Sequence, residues 1–240
     1  MMVGELMDKT LLVNGDSFVF GDGLKNPIND VWATKLGDRL NMDVINLGES
    51  GGSNQRILRT TTEWILDYFY YDPIYETAKD LYVIITWSNP DRIELRMDRS
   101  MFEQLSPESQ NDNLVKYRKE IDNKLYTPIV PVISKKRNDE FHKYWINNFY
   151  DRFGSLETTA HCIYHTQQLL ENRGVNYNFC MSFDNFYREI KGVDIWKYIN
   201  KDRFIDKSIC ELIGTDGAHP KSHHQDLLCD LFYQRYKSHG

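Results

Sequence analysis

Residues suited to acyl transfer occur in four short blocks spread along a chain of 240 residues. Gly15-Asp16-Ser17 supplies a hydroxyl, and Gly51 sits in the glycine-rich stretch GESGGSN. Asn89 follows an apolar run, and Asp216 precedes His219 in DGAHP. Acyl transfer needs a nucleophile, a base within its reach, a group that orients the base, and donors for the oxyanion. Ser17 suits the first role and His219 the second. Asp216 suits the third, because it stands close enough on the same loop to hold the far nitrogen of the imidazole. The backbone N–H of Ser17, the N–H of Gly51 and the side-chain amide of Asn89 suit the oxyanion hole. A residue without Cβ, as at Gly51, lets its amide come close to a reacting centre. Taken singly, each block has a plainer use. Ser17 or Asp16 would cap a helix that follows a strand, Gly51 would serve a tight turn, and Asn89 before Pro90 would start one.

The elements around these blocks decide whether they can meet. LLVN (11–14) reads as a short strand, DVINL (43–47) as a second and LYVIITW (81–87) as a third. The third is a continuous apolar, β-branched run of the kind buried on both faces of a parallel sheet. Between them, Val31 or Trp32, Leu36 and Leu40 recur at helical spacing, and a helix is expected from about Asn54 to Tyr70. SLETTAHCIYHTQQLLENRG reads as a helix stopped by Gly174, VNYNFCMSF (175–183) as a fourth strand, and Ser222 with Gln225 as a capping box for a last helix. Strand and helix alternate, which is the pattern of a parallel sheet with helical crossovers. In such a sheet the functional loops gather at the carboxyl ends of the strands. The GDS, GESGGSN and SNPD stretches each follow a strand directly, and DGAHP leads into the last helix. Two insertions, about 96–153 and 184–213, break the alternation; the first is read as helices and loops and the second as irregular. The whole chain, 1–240, is read as one domain.

With those residues in view, the sequence resembles the SGNH (GDSL-type) hydrolases. Gly15-Asp16-Ser17, Asn46-x-x-x-x-Gly51, Asn89 after the third strand and Asp216-x-x-His219-Pro220 stand in the order of that family's blocks. The resemblance implies a three-layer α/β/α, flavodoxin-like fold and an esterase, lipase, thioesterase or sugar O-deacetylase activity without a metal or other cofactor. By position it implies Ser17 as nucleophile, Gly51 and Asn89 as oxyanion donors beside the Ser17 amide, and Asp216 and His219 as the remaining triad members. The third block departs from the family's Gly-x-Asn-Asp, reading Trp87-Ser88-Asn89-Pro90. Trp87 is therefore expected to narrow the acyl pocket and to contact substrate, which favours a small acyl group such as acetyl on carbohydrate. The same departure would suit an alternative: a module that keeps the fold, has lost turnover and binds a glycan or protein partner.

Composition narrows the classes further. A net charge of −6 opposes a broad nucleic-acid surface, which needs a positive footprint. No apolar run approaches the length of a membrane span, and no signal peptide is visible at the start, so a cytoplasmic protein is expected; the resemblance implies a small-molecule or glycan ester as its substrate. Cys162, Cys180, Cys210 and Cys229 are too far apart for a zinc knuckle or a dense disulfide framework and are expected as reduced, core thiols. His161 and His165 have the i, i+4 spacing of a metal pair but lack the glutamate of the zinc-protease pattern and are read as ordinary helix positions. KKRNDEFHKYW (135–145) mixes both signs of charge with aromatics and is read as a solvated helix face. FGDGL (20–24) is read as a wall of the pocket.

Overall fold

The computed structural model describes residues 9–71, 78–98, 119–121, 124–129, 144, 147–215 and 217–239. Its centre is a parallel sheet of β1 (Thr10–Asn14), β2 (Asp43–Asn46), β3 (Leu81–Trp87) and, after an intervening smaller sheet, β7 (Asn176–Met181), in the order β2-β1-β3-β7. Strand alternation explains why both faces are apolar. Leu81, Val83, Ile85 and Trp87 enter one core cluster, while Tyr82 and Ile84 enter the other. Leu12 likewise faces away from Leu11 and Val13.

Helices cover each face. Ile57 and Ile65 of α4 (Asn54–Tyr71) and Leu156, Ile163 and Leu170 of α5 (Arg152–Asn172) pack on the first. Trp32 and Leu36 of α3 (Trp32–Leu40) and Leu228 and Phe232 of α8 (Ser222–His239) pack on the second, where the Trp32 and Phe232 rings stack at 4.4 Å. The result is the α/β/α three-layer, flavodoxin-like architecture that the resemblance implies, with the parallel sheet expected from the alternation. The four cysteines are free and buried. Among the described residues no helix is long and apolar enough to cross a membrane.

Three local expectations change. The segment read as helices and loops contains β4 (Ile93–Asp98), β5 (Lys119–Ile121) and β6 (Lys124–Ile129), an antiparallel sheet in the order β4-β6-β5. Most of the remaining positions between 99 and 146 lie outside the described residues, including all of KKRNDEFHKYW except Tyr144. The second insertion holds two short helices, α6 (Asp184–Ile190) and α7 (Ile209–Ile213), with 3-10 turns between them. The Ser222–Gln225 capping box does not form. Gln225 is buried; its Oε1 accepts from the Trp32 N–H at 2.8 Å and its Nε2 donates to the Pro220 carbonyl at 3.0 Å. His224 takes over half of the expected box: its Nδ1 accepts from the Lys221 N–H at 3.2 Å. Burial at the α3–α8 contact diverts Gln225 to a long-range partner that no local pattern reveals.

Candidate active site

The sheet order reverses direction between β1 and β3, the position at which open α/β sheets form a crevice beyond their carboxyl ends. The GDS turn leaves β1 there, and Asn89 lies just beyond β3. Asn14, the last residue of β1, anchors the turn. Its Nδ2 donates to the Ile57 carbonyl, Thr60 Oγ1 and Thr61 Oγ1 at 3.2, 2.8 and 2.9 Å, and its Oδ1 accepts from the Gly15 N–H at 2.8 Å. Gly15 is required for space. A Cβ there would lie 2.3 Å from Thr86 Oγ1 and 2.5 Å from Val19 Cγ2.

Asp16, rather than Ser17, is the helix cap. It is fully buried, and its Oδ1 accepts from the Phe18 N–H at 3.0 Å at the start of α1 (Ser17–Phe20). The same carboxylate gathers the ends of three strands. Oδ1 also accepts from Ser182 Oγ beyond β7, and Oδ2 accepts from Ser88 Oγ beyond β3 and from Arg92 Nη1, each at 3.1 Å. Arg92 further donates to Ser88 Oγ at 3.0 Å and lies over the Phe183 ring. Ser88, Ser182 and Arg92 carried no sequence signal, because single serines and an arginine in loops are too common to mark a site.

Ser17 thereby becomes the first residue of a rigid turn. Its Oγ is buried and has no hydrogen-bond partner among the described residues. The amides of Val19 and Phe20 are spent on the Asp16 carbonyl and that of Phe18 on the Asp16 side chain. The Ser17 amide is not spent in this way, and the first N–H groups of a helix have no internal acceptor.

The loop after β2 is brought against this turn by the Glu49 N–H, which donates to the Gly15 carbonyl at 3.2 Å. Gly48 packs on α1 so closely that a Cβ would lie 2.8 Å from the Phe20 nitrogen. Gly51 has φ +76°, in the left-handed region that favours glycine. On the β3 side, Asn54 clamps Ser88: its Oδ1 accepts from the Ser88 N–H at 2.8 Å and its Nδ2 donates to the Ser88 carbonyl at 3.0 Å. Asn89 Oδ1 accepts from the Asp91 N–H at 2.8 Å, which fixes the amide plane and turns its Nδ2 away from that contact. Asp91 accepts from the Tyr150 hydroxyl, and burial followed by this bond pushes the Tyr150 phenol up to about 12.

His219 is half-exposed at the rim. Its ring meets the Phe18 ring edge-on at 5.7 Å, and its Nε2 lies 3.9 Å from Asp22 Oδ2. Asp22 also accepts from Ser50 Oγ, next to Gly51. Asp216 lies outside the described residues. Ser17, Gly51, Asn89 and His219 therefore come from four separate loops at one end of the sheet. Trp87 does not join them as a substrate contact. It is fully buried, points into the core with Leu81, Val83 and Ile85, and packs edge-on against Phe179 at 5.5 Å. Its position in the last turn of strand alternation sends the ring under α4 and α5 instead of into the crevice. His161 and His165 are exposed on α5.

This architecture is the α/β fold of SGNH-type esterases. Over 96% of this chain and 97% of the other it matches the psychrotrophic esterase EstA from Pseudoalteromonas sp., with a TM-score of 0.51 and 12% identity. Two further solved structures align with lower scores. One is a putative lipolytic protein of the G-D-S-L family from Desulfitobacterium hafniense, at TM-score 0.46 and 14% identity over 95% and 99% of the two chains. The other is the acetylxylan esterase Axe2 from Geobacillus stearothermophilus, at 0.44 and 15% over 95% and 93%. No curated protein matches the sequence. The chain belongs to a family of unknown function, DUF6071, whose model matches residues 21–216. That match begins after Ser17 and stops short of His219.

Proposed function

We propose that the protein is a single-domain serine hydrolase of carboxylic esters. Ser17 is the nucleophile and His219 its base, Asp216 orients the imidazole, and the amides of Ser17 and Gly51 with Asn89 Nδ2 receive the oxyanion. The observation that carries this reading is the Ser17 turn itself: a buried hydroxyl with no hydrogen-bond partner among the described residues, held by the Asp16 web at the switch point of a parallel sheet. In the reaction the Ser17 proton passes to His219 Nε2 as Oγ bonds to the acyl carbon. Collapse of the tetrahedral adduct expels the alcohol, which takes the proton from His219. Water then repeats the sequence on the acyl-enzyme, activated by the same imidazole. No metal or cofactor enters this scheme.

The acyl group is small. With Ser17 only 2% exposed, a long chain has little room to reach its Oγ, so acetyl esters, including those on carbohydrate, are the first substrates to test. This argument rests on access to the serine and not on Trp87. The test is labelling by a fluorophosphonate together with hydrolysis of esters of increasing acyl length. The wild type should form a serine adduct and prefer acetyl, and Ser17→Ala should lose both adduct and turnover while keeping its circular dichroism. A folded wild type with no adduct would instead favour a module that binds a glycan or protein without turnover.

A further inference from the structure

Asp22 stands in the stretch FGDGL, between Gly21 at φ +92° and Gly23 at φ +86°. One oxygen of its carboxylate, Oδ2, meets two loops at once. It accepts from Ser50 Oγ, adjacent to the proposed oxyanion donor Gly51, and it lies 3.9 Å from Nε2 of the proposed base His219. The glycines on either side let the chain double back after α1 so that the carboxylate reaches both neighbours. Resting on the hydrolase reading above, we propose that Asp22 is a positioning residue: it holds the Gly51 loop and the His219 loop in register about Ser17, and its charge favours the imidazolium formed when His219 takes the serine proton.

Among the described residues, the carboxylate paired with His219 is that of Asp22. From α1 the ring meets the apolar edge of Phe18, and Gly23 has no side chain of its own; a Cβ there would lie 3.9 Å from the His219 Cβ. On its own segment the titratable and charged neighbours are Lys221, His223 and His224 at the head of α8, none of them in contact with its ring among the described residues, and Asp216, which lies outside those residues. With His219 48% and Asp22 24% exposed, water screens the pair, and a contact of this kind is worth roughly a factor of two to five.

The experiment uses the full chain and a fluorophosphonate as probe, reading the rate of Ser17 labelling at neutral pH, with kcat and KM for p-nitrophenyl acetate alongside. Asp22→Asn keeps an acceptor for Ser50 and removes the charge facing His219. It should slow labelling and lower kcat by about two- to fivefold and leave KM within about twofold, while Asp22→Glu, which restores the charge, should recover most of the loss. Ser50→Ala cuts only the link to the Gly51 loop and should also lower the rate at unchanged KM. An Asp22→Asn rate equal to that of the wild type, or an Asp22→Glu rate no higher than that of Asp22→Asn, would overturn the proposal. Absence of a wild-type adduct, or an equal adduct in Ser17→Ala, would overturn the hydrolase reading itself, so the two failures are told apart.

Discussion

The Asp16 carboxylate offers the sharpest test of how the site is held. Replacing it by asparagine keeps its shape and one oxygen, so the Phe18 N–H and the Ser182 hydroxyl retain their acceptor. The new NH2 group would then face Arg92 Nη1 and Ser88 Oγ, both now 3.1 Å from Oδ2. The Ser88 hydroxyl can rotate and accept, but the guanidinium has only donors, cannot accept from the NH2 group, and loses its counter-charge. Breaking a buried ion pair from one side costs about 3–5 kcal/mol. Because Arg92 keeps 14% of its side chain exposed, some of its charge returns to water, and the lower end, about 3 kcal/mol, is expected. Arg92→Met leaves the fully buried Asp16 carboxylate with three donors but no counter-charge and should cost at least as much, about 3–5 kcal/mol. The double variant removes both charges together, so its loss should fall short of the sum of the single losses by about 1 kcal/mol or more. Urea unfolding followed by far-ultraviolet circular dichroism measures all three against a total stability of about 5–15 kcal/mol. An Asp16→Asn loss below about 0.5 kcal/mol, or strict additivity in the double variant, would refute the idea that this pair clamps the Ser17 turn.

Two further outcomes are expected. Trp87→Phe deletes a buried indole N–H that has no partner among the described residues, which offsets the volume it removes, so stability should change by no more than about 1.5 kcal/mol. Ester turnover should stay at the wild-type level, because the ring lies in the core; a changed preference for acyl length would return Trp87 to the pocket. His224 is held below the ordinary histidine value of 6.5, chiefly by burial and then by His223 and Lys221, and its neutral Nδ1 accepts the Lys221 N–H. A base with a lowered folded value gives stability that is present above its unfolded value and is lost as pH falls through the folded one. The urea midpoint should therefore drop modestly between about pH 7 and pH 5, and His224→Gln, which keeps an acceptor that does not titrate, should flatten that drop. A His224→Gln midpoint with the wild-type pH dependence would disprove this.

The sheet was written locally. Apolar runs at 11–14 and 81–87 and the helical spacing from Asn54 onwards reflect burial patterns of period 2 and 3.6, which a short window of sequence carries in full. The blocks around Ser17, Gly51, Asn89 and His219 were legible for a related reason: each follows a strand or leads into a helix, so the topology alone carries them to one end of the sheet. Polar and edge elements were harder to read. The strands Ile93–Asp98 and Lys124–Ile129 have mixed composition, and their pairing is a long-range choice between segments far apart in sequence.

What tertiary structure decided was the fate of individual polar side chains. Gln225 left its expected cap for a buried partner on α3, and Asp16 reached beyond its local cap to Ser88, Arg92 and Ser182, the last of them 166 positions away. The direction of Trp87 depended on strand parity relative to the two helical layers, which is defined only once the sheet is assembled. The pairing of Asp22 with Ser50 and His219 likewise exists only when three loops meet. Periodicity reports which face is buried; it does not say which distant atom will meet a donor or acceptor there. For this chain the sequence alone therefore determined the layered α/β fold and the set of candidate residues at one end of its sheet. The folded structure decided which of their described side chains meet, Asp22 with Ser50 and His219 among them.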